Sequence, residues 1–187
     1  MSKTDSARAF FALLPDGAAR AALGAVASAL PPEAGCPVMP TNLHLTLAFV
    51  GDSDAARLAC LHARAATVPM SPLNIRLSRL GGFRRGRVWW LGPNRSLADL
   101  RALVSRLASA LSPCGFEPER RPFRAHVTLS RGARAEPEGV HMMPIEWVAS
   151  DFVLMASRQT AEGVCYEVLA RYPSDVDAPL SAGLSVG

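Results

Sequence analysis

Two short stretches carry residue types that can do chemistry together. One is Asn42-Leu43-His44-Leu45-Thr46-Leu47, continuing through Ala48-Phe49-Val50-Gly51; the other is Phe123-Arg124-Ala125-His126-Val127-Thr128-Leu129-Ser130-Arg131. Of only four histidines in the chain, two stand in the same His-x-Thr pattern, 82 residues apart. Side chains on a strand alternate between faces. That rule groups His44 with Asn42, Thr46 and Ala48 and sends Leu43, Leu45 and Leu47 into a core. It groups Arg124, His126, Thr128 and Ser130 against Ala125, Val127 and Leu129. Each stretch thus offers an imidazole beside a hydroxyl, anchored by an apolar back.

Two facing imidazoles suit in-line displacement at phosphorus. One, neutral, takes a proton from the attacking nucleophile, and the other, protonated, gives a proton to the leaving oxygen. A reference pKa of about 6.5 lets both forms exist near neutrality. Threonine hydroxyls at 46 and 128 would donate to the non-bridging oxygens, and Arg131 or Arg124 would offset the charge that builds there. A single histidine on a strand is usually structural, and the repetition is what argues for a site. No further His, Cys or Asp stands at metal-ligand spacing, and no Gly-x-Ser-x-Gly supports a serine nucleophile. The pair therefore needs no metal and no cofactor.

The elements that must position this pair follow from periodicity. A strand over Ala7–Leu14 precedes a helix over Ala18–Leu30 that Asp16 can cap. Pro31 through Pro40 reads as irregular loop, ahead of a strand over Leu43–Val50. Asp52 or Ser53 caps a second helix to Thr67. Strands over Leu73–Leu80 and Val88–Leu91 flank a Gly- and Arg-rich connection. Ser96 opens a third helix with leucines at 97, 100, 103, 107 and 111. A strand over Phe123–Arg131, a loop over Gly132–Pro144, and strands over Trp147–Ser157 and Val164–Tyr172 about a Glu162-Gly163 turn complete the chain. There is no regular βαβ alternation and no Gly-x-Gly-x-x-Gly, which predicts an α+β fold of largely antiparallel sheets packed under helices. The near half-length offset of the motifs predicts one domain of two related lobes about a central cleft. Residues 7–173 form its ordered core, with frayed ends at 1–6 and 174–187.

Composition agrees with a folded, mildly basic protein: 49% hydrophobic, 19% charged, net charge +4 and pI near 9.2 over 187 residues. All the basic residues except Lys3 are arginine. Cys36, Cys60, Cys114 and Cys165 are scattered without a Cys-x-x-Cys pair, which reads as four reduced thiols in a cytoplasmic protein. The first residues do not resemble a signal segment, and the Ala-rich run from Ala18 to Leu30 is too short for a membrane span. The Arg84–Arg87 connection next to Trp89 and Trp90 offers charge and stacking to a single-stranded nucleic acid. Phe10, Arg84, Arg87, Trp89 and Arg124 are the candidate contacts for such a ligand. His62 and His141 read as surface residues without a role.

The chain resembles the two-histidine (2H) phosphoesterases, and among them the bacterial RNA 2′,3′-cyclic phosphodiesterases, also called 2′-5′ RNA ligases. Both His-x-Thr stretches carry the resemblance. So do the opening strand Arg8-Ala9-Phe10-Phe11-Ala12-Leu13 and the hairpin formed by Gly82-Phe83 with Arg87-Val88-Trp89-Trp90-Leu91-Gly92. Phe152, Ser157, Gly163 and Tyr166 extend it to the C-terminal strands. The resemblance implies hydrolysis of RNA 2′,3′-cyclic phosphate ends to 2′-phosphates without metal, by a monomer acting on RNA ends or nucleoside 2′,3′-cyclic phosphates. It implies His126 as proton acceptor, His44 as proton donor, and Thr46 and Thr128 as phosphate holders. The alternatives are ligase activity at the same site and a non-catalytic RNA-end binding module. Cys36 through Thr41 lacks the tryptophan that the family carries there, so one cleft rim departs from the family pattern.

Overall fold

Strand pairing is antiparallel throughout the described residues, which in this computed structural model are 7–137, 141–160 and 163–173. The strands are β1 (Ala7–Leu13), β2 (Cys36–Pro37), β3 (Leu45–Ser53), β4 (Leu73–Phe83), β5 (Val88–Gly92), β6 (Val127–Arg131), β7 (His141–Ala149), β8 (Phe152–Thr160) and β9 (Gly163–Tyr172). The helices are α1 (Gly17–Ser28), α2 (Ala55–Ala65) and α3 (Ala98–Leu111). The strand order is β7-β4-β5-β6-β3-β1-β8-β9, with β2 beside β6. The expected α+β class holds. The two His-x-Thr strands are neighbours at the centre, with three strands running outward from each. Between them one rung is paired among the described residues, Leu45 opposite Val127. Each of these residues directly follows its motif histidine.

Helix starts follow local polar chemistry. The Asp16 carboxylate accepts from the Ala19 amide at 2.8 Å, as expected. For α2 the cap is Asp54, which accepts from the Arg57 amide at 2.8 Å. Asp52 and Ser53 cannot serve, because β3 runs on through them. α3 starts without a side-chain cap, and Ser96 instead accepts from Arg101 at 3.0 Å. Leu100, Leu103, Leu107 and Leu111 are buried along the inner face of α3. The helix layer crosses over: α1 packs on β6 and β7, while α2 and α3 pack on β3.

Four further expectations are corrected. Cys36–Pro37 is a short strand, because the Val38 amide donates to Leu129 at 2.8 Å and ties this segment to β6. Gly35 permits the approach: its φ is +86°, and a Cβ there would overlap the Arg131 carbonyl. Pro144 lies inside β7 rather than in a loop; β7 is an outer strand, where a missing amide costs no ladder bond. The second motif strand begins at Val127, not Phe123. Finally, Cys60 and Cys114 are disulfide-bonded, joining α2 to the turn after α3, while Cys36 and Cys165 are free and exposed. The predicted turn at Glu162 and the frayed ends at 1–6 and 174–187 fall outside the described residues. No described helix is long and apolar enough to cross a membrane.

Candidate active site

Each motif histidine sits one residue ahead of its strand and is oriented in the same way. His44 Nδ1 lies 2.7 Å from the Asn42 carbonyl, and His126 Nδ1 lies 2.7 Å from the Arg124 carbonyl. A carbonyl only accepts, so Nδ1 carries the proton in both rings. Nε2 is left to take or give the second one. Aromatic rings wall both imidazoles. Phe10 and Tyr166 stand 4.9 and 5.1 Å from His44, and Phe83 and Trp90 stand 5.0 and 6.2 Å from His126.

Burial is the main influence on both histidines, and it lowers both pKa values from about 6.5. The backbone hydrogen bonds oppose that shift. Arg131 lowers both further by charge repulsion, His126 adds to the effect on His44, and Arg124 adds to the effect on His126. Arg131 thus disfavours the protonated form of both rings.

Strict alternation would send Arg131 away from His126. A bulge brings it back. Trp89 pairs with Ser130 and Trp90 with Thr128, which leaves Leu129 as an extra residue on β6. The first motif does the same at the same offset: Phe11 pairs with Ala48 and Ala12 with Thr46, leaving Leu47 extra on β3. The residue after each bulge therefore turns inward. Ala48 and Ser130 are buried rather than on the histidine faces where alternation put them. The next residues, Phe49 and Arg131, both line the cleft. Phe49 escaped the sequence reasoning. Its only signal was the unbroken apolar run from Leu47 to Val50, which no alternating strand needs.

A cavity of about 640 Å³ opens on the His44 side; Phe10, Val38, Thr46, Phe49, Arg131 and Tyr166 are among its lining residues. The other candidates are placed unevenly. Phe10 is 3% exposed and offers the cavity only an edge. Arg124 reaches over the Phe83 ring at 5.9 Å, beside His126. Trp89 is a correction: it is buried, and its Nε1 donates to the Ala135 carbonyl at 2.7 Å. The tryptophan on the cleft side is Trp90. Arg87 is likewise committed to structure, donating to the carbonyls of Ala133 and Gly132 at 3.1 and 3.4 Å. Arg84 lines a smaller hollow of about 160 Å³ with Arg87 and Arg134. His62 is no idle surface residue, since it is bonded to the Tyr172 hydroxyl at 2.7 Å; the His141 side chain is outside the described set. Among the described residues no three His, Cys, Asp or Glu side chains cluster as a metal site would need.

The family model described as the 2′-5′ RNA ligase superfamily matches residues 14–160. The chain belongs to that superfamily. Among its relatives, the RNA 2′,3′-cyclic phosphodiesterase of Escherichia coli K12 is 35% identical over 150 residues, covering 78% of this chain and 84% of that protein. The protein of the same name from Thermus thermophilus is 31% identical, over 88% and 89% of the two chains. Superfamily structures superpose closely. E. coli LigT solved with 3′-AMP gives a TM-score of 0.79 at 32% identity, over 90% of this chain and 98% of that one. TT0787 of T. thermophilus gives 0.74 at 28% identity, over 88% and 96%.

Proposed function

We propose that this protein hydrolyses the 2′,3′-cyclic phosphate ends of RNA to 2′-phosphates, with no metal. The carrying observation is the matched pair of imidazoles, each fixed through Nδ1 by the carbonyl two residues earlier, with one arginine acting on both. The names of the relatives support the substrate.

The cavity supports the direction of reaction. In an in-line displacement, water enters opposite the departing 3′ oxygen, and the ribose stays on the leaving side. Water needs little room and a nucleoside needs much. The large cavity is lined by His44 and not by His126. His126 therefore takes a proton from water as the water oxygen bonds to phosphorus. The P–O3′ bond breaks, and His44 delivers its Nε2 proton to O3′. Two cations repel a proton from His126, Arg131 and Arg124, which keeps it in the basic form. Thr46, Thr128 and Arg131 hold the non-bridging oxygens, where charge accumulates in the transition state. The protein acts as a monomer. Its cytoplasmic setting rests on this RNA chemistry, since the Cys60–Cys114 bond weakens the argument from reduced thiols.

Incubation of nucleoside 2′,3′-cyclic phosphates with the protein in EDTA tests the activity. The expected product is the 2′-phosphate isomer. His44→Ala and His126→Ala should each slow it by about 10²-fold or more. Rates within a few-fold of wild type in either variant would refute the two-histidine mechanism, and loss of activity in EDTA would refute metal independence.

A further inference from the structure

We infer that Arg8 forms a second phosphate subsite, for the internucleotide phosphodiester one step upstream of the reacting end. Oligonucleotide ends are then preferred over mononucleotides. This rests on the proposed cyclic phosphodiesterase activity.

The register sets out the cleft face in rows. Thr46 lies opposite Ala12, Phe49 opposite Phe10, and Asp52 opposite Arg8. Arg8 faces Ser157 on its other side, and Ser157 faces Tyr166. Arg8, Phe10, Thr46, Phe49 and Ser157 all line the same cavity, so the rows share a face. Arg8 stands four positions before Ala12, about 13 Å along the strand. A cyclic phosphate and its ribose at Thr46 fall short of that interval, while a chain continuing from the ribose 5′ carbon crosses it. The exposed ring of Phe49 and the edge of Phe10 fill the middle row, where sugar and base would lie. The next phosphate of the strand falls short of the far row, and the Arg8 guanidinium meets it by reaching back over the Phe49 ring.

Arg8 is available for the task. Its guanidinium lies 5.5 Å from the Phe49 ring centroid, held at the cavity rim by a cation–π contact. Its ion pair with Asp52 spans 3.9 Å between two exposed side chains. So long and solvated a pair contributes little, and a phosphodiester can displace the carboxylate and take a charge-assisted bond instead. Asp52 is then a mild competitor of the RNA.

The test compares kcat/KM for a nucleoside 2′,3′-cyclic phosphate and for a dinucleotide ending in a 2′,3′-cyclic phosphate. Arg8→Ala should lower the dinucleotide-to-mononucleotide ratio about tenfold, the size of one charged hydrogen bond, chiefly through KM. Arg8→Lys should recover most of it, and Asp52→Ala should raise it. The slope of log KM against log salt for the dinucleotide should fall by about 0.7 in Arg8→Ala. Arg101→Ala on α3 removes the same charge away from the cleft and controls for net charge. An unchanged ratio, or equal losses on both substrates, overturns the subsite; equal losses would assign Arg8 to the terminal nucleotide. Calorimetric binding of a 2′-phosphorylated dinucleotide and mononucleotide reads the same ratio without turnover. If wild type hydrolyses neither substrate, the proposed activity fails, and the binding ratio still decides the subsite.

Discussion

Substituting Gly81 tests how the second half of the site is held. Trp90 stands opposite Gly81 on the neighbouring strand, and its indole lies flat over that glycine and over Gly92. A Cβ at Gly81 would overlap Cζ2 and Cη2 of the indole; one at Gly92 would come within 2.7 Å of its Cζ3. A fused ring cannot bend a terminal atom aside, so Gly81→Ala must swing the whole indole. Overpacking of this kind costs about 1–3 kcal/mol, and at this chain length that lowers Tm by about 2–12 °C. The ring that moves also packs against Phe83 and presents an edge to His126 at 6.2 Å. Displacing an acid–base group by about 1 Å can cost about 10²-fold in rate, so kcat should fall by about 10- to 100-fold in a protein that still folds. A double-mutant cycle with Trp90→Ala isolates the cause. Without the ring, alanine at 81 relieves strand glycine entropy and should be neutral or mildly stabilising. If Gly81→Ala costs the same stability with and without the indole, the collision is not its origin, and Trp90 does not position His126.

Further outcomes follow from the same structure. Arg131→Ala should reduce kcat by about 10²–10³-fold through loss of transition-state charge stabilisation. It should also move the kcat/KM bell towards higher pH, because one cation lowers both histidine pKa values; a rate loss without that movement would place Arg131 away from the pair. In wild type the bell should centre below the usual histidine value of about 6.5, which a pH–rate profile reads. Stability has the same sign. Above about 6.5 both imidazoles are neutral folded or unfolded; below it the unfolded chain binds protons that the folded rings refuse, so Tm should fall as pH drops through that window. Replacing both histidines with glutamine should flatten the decline. Cys60→Ser with Cys114→Ser opens a 54-residue connection and should lower unfolding free energy by up to about 4 kcal/mol in chemical denaturation. Activity should persist, since neither cysteine lines the cleft.

The core of the site was visible in the sequence because it is written twice. His44, Thr46, His126 and Thr128 lie close enough to their strand starts that alternation still holds. Beyond the threonines it fails, because a bulge adds a residue with no punctuation to mark it: Leu129 and Leu47 look like ordinary core leucines. Only proximity to the motif points to Arg131, on a strand whose alternation directs it elsewhere. Trp89 and Trp90 pose a binary choice that only the hairpin register decides, and Trp89 as the outward ring is the wrong one. Pro144 argues for a loop in a strand whose outer position makes proline harmless. The Cys60–Cys114 bond joins residues 54 apart on elements that meet only through tertiary packing, and no local pattern announces it.

The exchange of helices between the two halves of the sheet has a consequence for dissecting the protein. α1 comes early in the chain yet covers β6 and β7, and α3 comes late yet covers β3. With Cys60→Ser and Cys114→Ser removing the bond that spans it, a cut in the exposed turn around Ser71, between α2 and β4, gives two fragments, each holding one motif histidine and a helix whose apolar face belongs to the other. Neither fragment can close an interior alone. Mixed together, each supplies the lid of its partner, and phosphodiesterase activity becomes a readout of their reunion. The molecule is thus a ready-made split reporter, with one catalytic histidine on each piece.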